Sequence, residues 1–264
     1  MEKLDMIKTE AEKALDIVAG LIGKKIAETK DNPNYNAHNL ARDALKIARK
    51  VIKDYPNAEF IPGEPNSKTG IKSIDLLPSV TCHPRCLKTC GKIEKGRKFN
   101  KGRCYAFKLM YRNPITCARY AINTALLIDR PETFYAGVKN LVKTQRFVRC
   151  FVAGDANIHG FFENLCRILE ENPHCTVQGF SKCYEIVNKY IDENGKLPDN
   201  LKQLLSGWND LKPDNPHNLP ISDVYENELP DGWLSCGGNC LNCACVGLGC
   251  WKAGAGDVVG LKKH

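Results

Sequence analysis

The chain has 264 residues, 14 of them cysteines, and a net charge of +8. A chain of this length can bury a full hydrophobic core, which argues against a small secreted domain held together by disulfides. Its first residues lack the uninterrupted apolar segment of a secretory signal, and no later segment has the apolar length of a membrane span. We therefore expect a cytoplasmic protein with reduced thiols and no membrane contact.

Two amphipathic helices are predicted at the start of the chain. Apolar residues recur at steps of three and four over residues 4–29 and again over residues 37–54. A turn-rich segment at 31–34 separates the two helices, and Pro56 ends the second. We interpret residues 1–58 as a helical hairpin that packs on the rest of the protein. A helix pair that binds a partner is the alternative.

Strands and helices are predicted to alternate over residues 59–230. Apolar runs that predict strands lie at residues 71–77, 146–153, 175–180, 202–206 and 219–224. Helices are predicted from Pro114 with Asn113 as the cap, from Pro131, after Asp155 and after Ser181. This alternation predicts an α/β fold with parallel strands, either an open sheet or a partial barrel. Ligands of both architectures bind at the carboxyl ends of the strands, where we expect Cys82, Asp155, Ser181 and Ser206.

The first cysteine cluster follows the first predicted strand. Cys82, Cys86 and Cys90 have the spacing C-x3-C-x3-C, and Cys104 comes after an insert of thirteen residues. Four thiolates form a closed zinc site or a closed iron–sulfur site, whereas three thiolates leave one iron of a [4Fe–4S] cluster open. The spacing leaves both interpretations open.

A second cysteine cluster lies in the last part of the chain, residues 231–264, after the last predicted strand. We interpret this part as a tail with an auxiliary metal site that holds either zinc or a second iron–sulfur cluster. Its expected ligands are Cys236, Cys240, Cys243 and Cys250. Cys245 is the one cysteine of this cluster outside the expected set.

A basic segment spans residues 88–112. It contains nine lysines and arginines, one acidic residue and four aromatic residues. Positive charge interleaved with aromatic rings is typical of surfaces that bind single-stranded nucleic acid. Nucleic acid is therefore an expected partner, and a solvated loop is the alternative.

The chain also resembles a known family. The resemblance is carried by residues 66–70, Thr81-Cys82, Cys104-Tyr105-Ala106, residues 149–155, Phe180-Ser181-Lys182, residues 197–200 and residues 236–251. These stretches resemble the "gene product 88" family of phages and mobile elements and the related three-cysteine phage proteins. The position of the first cysteine cluster, directly after the opening strand, resembles that of the radical S-adenosylmethionine enzymes.

The resemblance implies a partial (β/α) barrel of the radical S-adenosylmethionine type and suggests site residues. Cys82, Cys86 and Cys104 match the family's ligand positions, and Cys90 matches only if the insert lies after it. Ala153-Gly154-Asp155 looks like a variant of the motif that receives the cofactor's ammonium group. Gly154, Asp155 and Ser206 are then implied to line a pocket for S-adenosylmethionine, although Asp155 can also serve as the N-cap of the next helix.

Two hypotheses of function follow from the sequence. The first is an iron–sulfur protein of the radical S-adenosylmethionine-like class, encoded by a phage or mobile element, with a [4Fe–4S] cluster, S-adenosylmethionine as small-molecule cofactor and an unidentified substrate. The alternative is a non-enzymatic, zinc-stabilised protein that binds nucleic acid or another partner.

Overall fold

A computed structural model describes residues 8–92, 104–158, 160–208 and 211–262. The chain divides into two compact units. The first takes its described residues from Met1–Ile61 and Ile93–Gly137, and the second from Pro62–Lys92 and Val138–His264. No helix within these described ranges has the length and apolar character to cross a membrane.

The described residues contain the six helices that the sequence predicts and three short helices that it does not. Their bounds are α1 Glu10–Thr29, α2 Ala37–Asp54, α3 Pro84–Lys88, α4 Tyr105–Arg112, α5 Pro114–Asp129, α6 Pro131–Thr144, α7 Phe161–Glu170, α8 Tyr184–Asn194 and α9 Cys240–Val246. The helical hairpin is confirmed as α1 and α2. Capping boxes fix the starts of both helices, with Thr9 and Asn36 as the N-caps. The predicted cap at Asn113 is also confirmed, because its side chain accepts a hydrogen bond from the Thr116 N–H.

The hairpin packs against α5 within the first unit. The buried face of α1 includes Val18 and Ile22, and that of α2 includes Leu40 and Ala44. These side chains are the apolar stripes that the sequence periodicity predicts, so the stripes serve the unit's own core. The domain boundaries drawn from the sequence stay a prediction.

A seven-stranded sheet forms the second unit. Its strands are β1 Ser73–Ile74, β2 Phe147–Cys150, β3 Thr176–Ser181, β4 Leu201–Ser206, β5 Ile221–Tyr225, β6 Leu234–Ser235 and β7 Val258–Lys262. Every neighbouring pair is parallel, and the order across the sheet is β1-β2-β3-β4-β5-β7-β6. The α/β class with parallel strands is therefore confirmed, and β1 to β5 match the five predicted strands.

Two features of this unit differ from the sequence predictions. The second cysteine cluster does not follow the last strand: it lies between β6 and β7, and β7 pairs with β5. The prediction that Asp155 caps the next helix is also wrong, because α7 begins at Phe161 with Gly160 in a left-handed conformation at its N-cap. The Asp155 carboxylate instead accepts hydrogen bonds from Ser181 and Lys182, at and just after the end of β3, and from Ala156 in the loop after β2.

The link between α5 and the segment after the hairpin yields a testable prediction. Asn123 is fully buried in α5; its Oδ1 accepts a hydrogen bond from the Ile61 N–H at 2.9 Å, and its Nδ2 donates to the Ile61 carbonyl at 2.8 Å. We expect Asn123→Ala to lower the free energy of unfolding by about 1–3 kcal/mol, because it removes the partner of both backbone groups. Urea unfolding measures this free energy.

Asn140→Ala, on the exposed side of α6, is the matched control and should change stability by less than about 0.5 kcal/mol. Equal losses of unfolding free energy in the two variants would show that the hydrogen bonds of Asn123 do not stabilise this link.

Candidate functional site

Three thiols of the first cysteine cluster come together directly after β1. Cys86 lies in α3, and Cys82 and Cys90 lie on either side of that short helix. The pKa of the Cys86 thiol is shifted by both Cys82 and Cys90, so Cys86 is a close neighbour of each. Cys82 and Cys90 each lie four residues from Cys86, a spacing that favours neighbouring positions around a helical turn. We call this group the rim thiols.

Cys104, the other candidate ligand, belongs to the first unit. It is half-buried and occupies the N-cap position of α4, where its side chain makes no capping hydrogen bond. Its membership in the same metal site as the rim thiols stays a prediction. Within the second unit, Cys90 is the candidate third ligand that lies beside Cys86.

A lysine opposes the tendency of the rim thiols to stay protonated. The interaction with Cys82 and burial raise the pKa of Cys86, whereas the interaction with Cys90 lowers it; the pKa of Cys90 is raised by its interaction with Cys86 and by burial. The positive charge of Lys182 lowers the pKa of both thiols. Its ammonium nitrogen donates a hydrogen bond to Ser206 Oγ at 2.6 Å, so Lys182 connects the end of β4 electrostatically to the thiols.

Asp155 joins the strand ends around the rim thiols. Its buried carboxylate accepts hydrogen bonds from Ser181 Oγ at 2.6 Å, from the Lys182 N–H at 2.7 Å and from the Ala156 N–H at 2.8 Å. Burial raises its pKa, and the hydrogen bonds from Ser181 and Lys182 act in the opposite direction. The Asp155 N–H donates to Thr81 Oγ1 at 3.1 Å, one residue before Cys82.

Gly154 allows the loop after β2 to approach the loop after β1. Its φ is +76°, and an added Cβ would lie 2.5 Å from Thr81 Oγ1 and 2.7 Å from the Leu76 carbonyl oxygen. Ser79 and Phe151, on the same two loops, also have positive φ values of 76° and 59°. Non-glycine residues adopt such values at an energetic cost, so these loops are held in conformations that the surrounding contacts impose.

The three predicted pocket residues thus occupy the same edge of the sheet but differ in what they contact. Gly154 packs against Thr81 and Leu76, Asp155 is engaged with three donors, and Ser206 accepts from Lys182. Their role as cofactor ligands stays a prediction. Sequence reasoning assigned no role to Lys182, although the Phe180-Ser181-Lys182 motif that carries the family resemblance contains it.

In the second cysteine cluster, Cys250 is affected by the charges of the other three candidate ligands, and the role of the four residues as metal ligands stays a prediction. Cys250 has a pKa raised to about 12 by burial, and the charges of Cys240, Cys236 and Cys243 act in the same direction. Arg149 opposes them, and its Nη1 donates a hydrogen bond to Cys240 Sγ at 2.9 Å. Sequence reasoning missed this arginine. Cys245 is exposed on α9.

Metal binding by either cluster stays a prediction. All fourteen cysteines are free thiols. Over the ranges that the structure describes, no three His, Cys, Asp or Glu side chains have the arrangement of a preformed metal site. Binding would therefore require loss of the thiol protons and movement of side chains, as is usual when a thiolate site closes around a metal.

The basic segment of residues 88–112 is described only in part. Residues 93–103, which carry five of its nine basic side chains and its one acidic residue, lie outside the described residues. The nucleic-acid partner predicted from this segment therefore stays a prediction.

Comparison with known proteins gives one match. The model of the family described as "Gene product 88" matches residues 42–251, which is more than half of the chain. No curated protein and no solved structure matches.

The tight approach at Gly154 yields a prediction with a matched control. We expect Gly154→Ala to lower the free energy of unfolding by about 2 kcal/mol or more beyond Gly195→Ala. Gly195 also has a positive φ, +80°, but nothing lies within 4 Å of the position of its added Cβ. The control therefore measures the backbone strain alone, roughly 1–2 kcal/mol, and the difference measures the clash with Thr81 and Leu76. Urea unfolding of both variants gives the comparison, and similar losses would show that the two loops do not depend on this contact.

Proposed function

The chain belongs to the gene product 88 family, and from this premise we propose that it is an iron–sulfur protein of the radical S-adenosylmethionine-like class. The observation that carries the proposal is the group of rim thiols, which lies directly after the first strand of an all-parallel sheet. Three thiolates on a [4Fe–4S] cluster leave one iron open to a small molecule. In the same proposal, the seven parallel strands curve into a partial barrel and the protein acts in the cytoplasm.

The residues present fit such a cluster in chemistry and in position. Thiolates are the usual ligands of iron–sulfur clusters, and Cys86 has both Cys82 and Cys90 as close neighbours. The carboxyl ends of parallel strands are where α/β proteins bind their ligands, and Thr81, Ser181 and Ser206 meet there. When bound, a cluster with an open iron would supply the electron and the coordination position needed to cleave the sulfonium bond of S-adenosylmethionine.

The protein's own side chains would have separate roles in this site. Lys182 favours the thiolate form of Cys86 and Cys90 through its positive charge. Asp155 accepts hydrogen bonds from the Ser181 hydroxyl and the Lys182 backbone N–H, so that the lysine is held beside the thiols. Tyr184, whose hydroxyl donates to the Ser206 carbonyl at 2.5 Å, connects the start of α8 to the end of β4. Arg85 stacks on the Tyr184 ring at 4.5 Å and pairs with Glu185, which ties the cysteine loop to α8.

Anaerobic purification tests this function. We expect brown protein with about four iron and four sulfide ions per cluster, and cleavage of S-adenosylmethionine to methionine and 5′-deoxyadenosine on reduction. Single Cys82→Ser, Cys86→Ser and Cys90→Ser variants should each lose most of the rim iron, because each removes one of three ligands. Cys245→Ser is the control, since Cys245 is exposed and outside both proposed ligand sets.

Cys104→Ala distinguishes an open site from a closed one. If the three rim thiols hold the cluster, this variant keeps its iron content and its electron paramagnetic resonance spectrum. Loss of iron from both Cys104→Ala and Cys90→Ser would identify a closed four-thiolate site and overturn the proposed chemistry, whereas loss from Cys104→Ala with iron retained in Cys90→Ser would overturn the assignment of Cys90 as the third ligand. Colourless wild-type protein that carries zinc at the rim thiols would overturn it as well, in favour of a zinc-stabilised protein.

A further inference from the structure

The chain between β6 and β7 is fixed to the rest of the sheet by backbone hydrogen bonds. The Cys236 N–H donates to the Gly260 carbonyl at 3.2 Å. The Cys240 and Leu241 N–H groups donate to the carbonyls of Lys68 and Thr69, at 3.1 and 3.0 Å. This segment, residues 236–251, is called the tail segment below. Its backbone position is therefore set independently of any bound metal.

Four thiols of the tail segment lie close together. Cys240, Cys243 and Cys250 belong to one packed cluster that also contains Trp251. A Cβ added to Gly237, the neighbour of Cys236, would lie 2.6 Å from Cys243 Sγ. A Cβ added to Gly249, the neighbour of Cys250, would lie 3.7 Å from Cys236 Cα. The two ends of the tail segment thus lie close to each other, and Cys243 lies close to the first of them.

Arg149 brings a positive charge to these thiols from the sheet. It lies in β2, and its Nη1 donates to Cys240 Sγ at 2.9 Å. Its guanidinium carbon also lies 5.0 Å from the centre of the Phe180 ring, which holds the planar group in place. Four thiolates around a divalent ion carry a net negative charge, so a fixed guanidinium beside one of them lowers the cost of assembling the site.

We propose that Cys236, Cys240, Cys243 and Cys250 bind a single zinc ion in a closed tetrahedral site, and that Arg149 is its positioning residue. The ion would join the two ends of the tail segment, because Cys236 directly follows β6 and Cys250 precedes β7. Space favours a single ion over an iron–sulfur cluster, because the Cys243 sulfur lies close to the Gly237 backbone, and Cys240, Cys243 and Cys250 pack in one cluster with Trp251, Leu204 and Val259. Inorganic sulfide ions would need additional room between the same ligands. This inference does not depend on the chemistry at the rim thiols.

Thiol alkylation of the intact wild-type protein tests the site without a mutation. Cys236 and Cys245 are both exposed in the structure, but only Cys236 belongs to the proposed ligand set. In the zinc-loaded protein, we expect iodoacetamide to modify Cys245 and to modify Cys236 at least about tenfold more slowly. Removal of zinc with a chelator should bring the two rates together. Equal rates before and after chelation would overturn the proposal.

Metal analysis of variants is a second test of the proposed zinc site. Single serine substitutions at the four proposed ligands should each remove about one zinc ion per chain, whereas Cys245→Ser should retain it. Cys82→Ser should also retain this zinc, so failure at the rim thiols and failure here give different results. Loss of zinc from Cys245→Ser, or iron and sulfide bound by the tail segment, would overturn the assignment.

Arg149→Met tests the positioning residue against a closely matched control. Arg146 also stacks on a phenylalanine, with its guanidinium carbon 5.1 Å from the Phe147 ring centre, but the described contacts give it no bond to sulfur. Competition with a chromophoric chelator should show zinc bound about tenfold more weakly in Arg149→Met, and unchanged in Arg146→Met. Arg149→Lys should restore part of the affinity through its charge. Equal affinities of the two methionine variants would show that Arg149 does not act on the metal site.

Discussion

The buried carboxylate of Asp155 is the interaction on which the rim of the sheet depends. Removing a carboxylate from water costs several kcal/mol unless its oxygens are hydrogen-bonded. Asp155 meets this cost with three short bonds from Ser181, Lys182 and Ala156. Because these donors belong to the end of β3 and to the loop after β2, the two strand ends are held at a fixed separation. The Asp155 N–H also donates a hydrogen bond to Thr81 Oγ1, so the loop after β1 is held against the same residue.

This arrangement determines where the chemically active side chains lie. Cys82 directly follows Thr81 in the loop after β1. The Cys82 carbonyl accepts a hydrogen bond from Asn157 Nδ2 at 3.3 Å. The backbone that Asp155 holds at Lys182 carries the ammonium group that acts on Cys86 and Cys90. Three strand ends thus contribute the thiols, the positive charge and the hydrogen bonds that orient both. Gly154 is required at the centre because any side chain there would separate two of the loops.

Much of this fold can be predicted from local sequence patterns. The helices α1 and α2 follow from the spacing of apolar residues, and the strands β2, β3 and β4 from short apolar runs between turns. Parallel pairing follows from the alternation of strands and helices. The rim could also be predicted, since carboxyl ends of parallel strands share one edge, and the structure brings Cys82, Asp155, Ser181 and Ser206 to that edge as expected.

The remaining features depend on contacts between distant residues. Strand β7 is a short apolar run after a glycine-rich segment, and only its pairing with β5 identifies it as part of the sheet. Arg149 and Cys240 are 91 residues apart, and no local pattern connects them. The N-cap alternative for Asp155 is wrong for the same reason: an aspartate before a helix resembles an N-cap, whereas Ser181 and Lys182, which donate to its carboxylate, lie 26 and 27 residues further along the chain.

Each group of thiols is accompanied by one basic side chain, and the difference between the two suggests different uses. Lys182 is a point charge on a flexible stem that reaches Ser206, so it can adjust as the charge on the rim thiols changes. Arg149 is a planar group held by Phe180 and directed at one sulfur, which suits a site with fixed geometry. The rim thiols lie at the edge where parallel sheets bind ligands, while Cys240, Cys243 and Cys250 pack with Trp251 and the apolar residues Leu204 and Val259. In the functions proposed above, a cluster that exchanges electrons with a small molecule uses the first environment, and an ion that joins the two ends of the tail segment uses the second. Under these proposals the same ligand atom serves a reactive and a structural purpose in one protein, because the neighbouring cation and the packing differ.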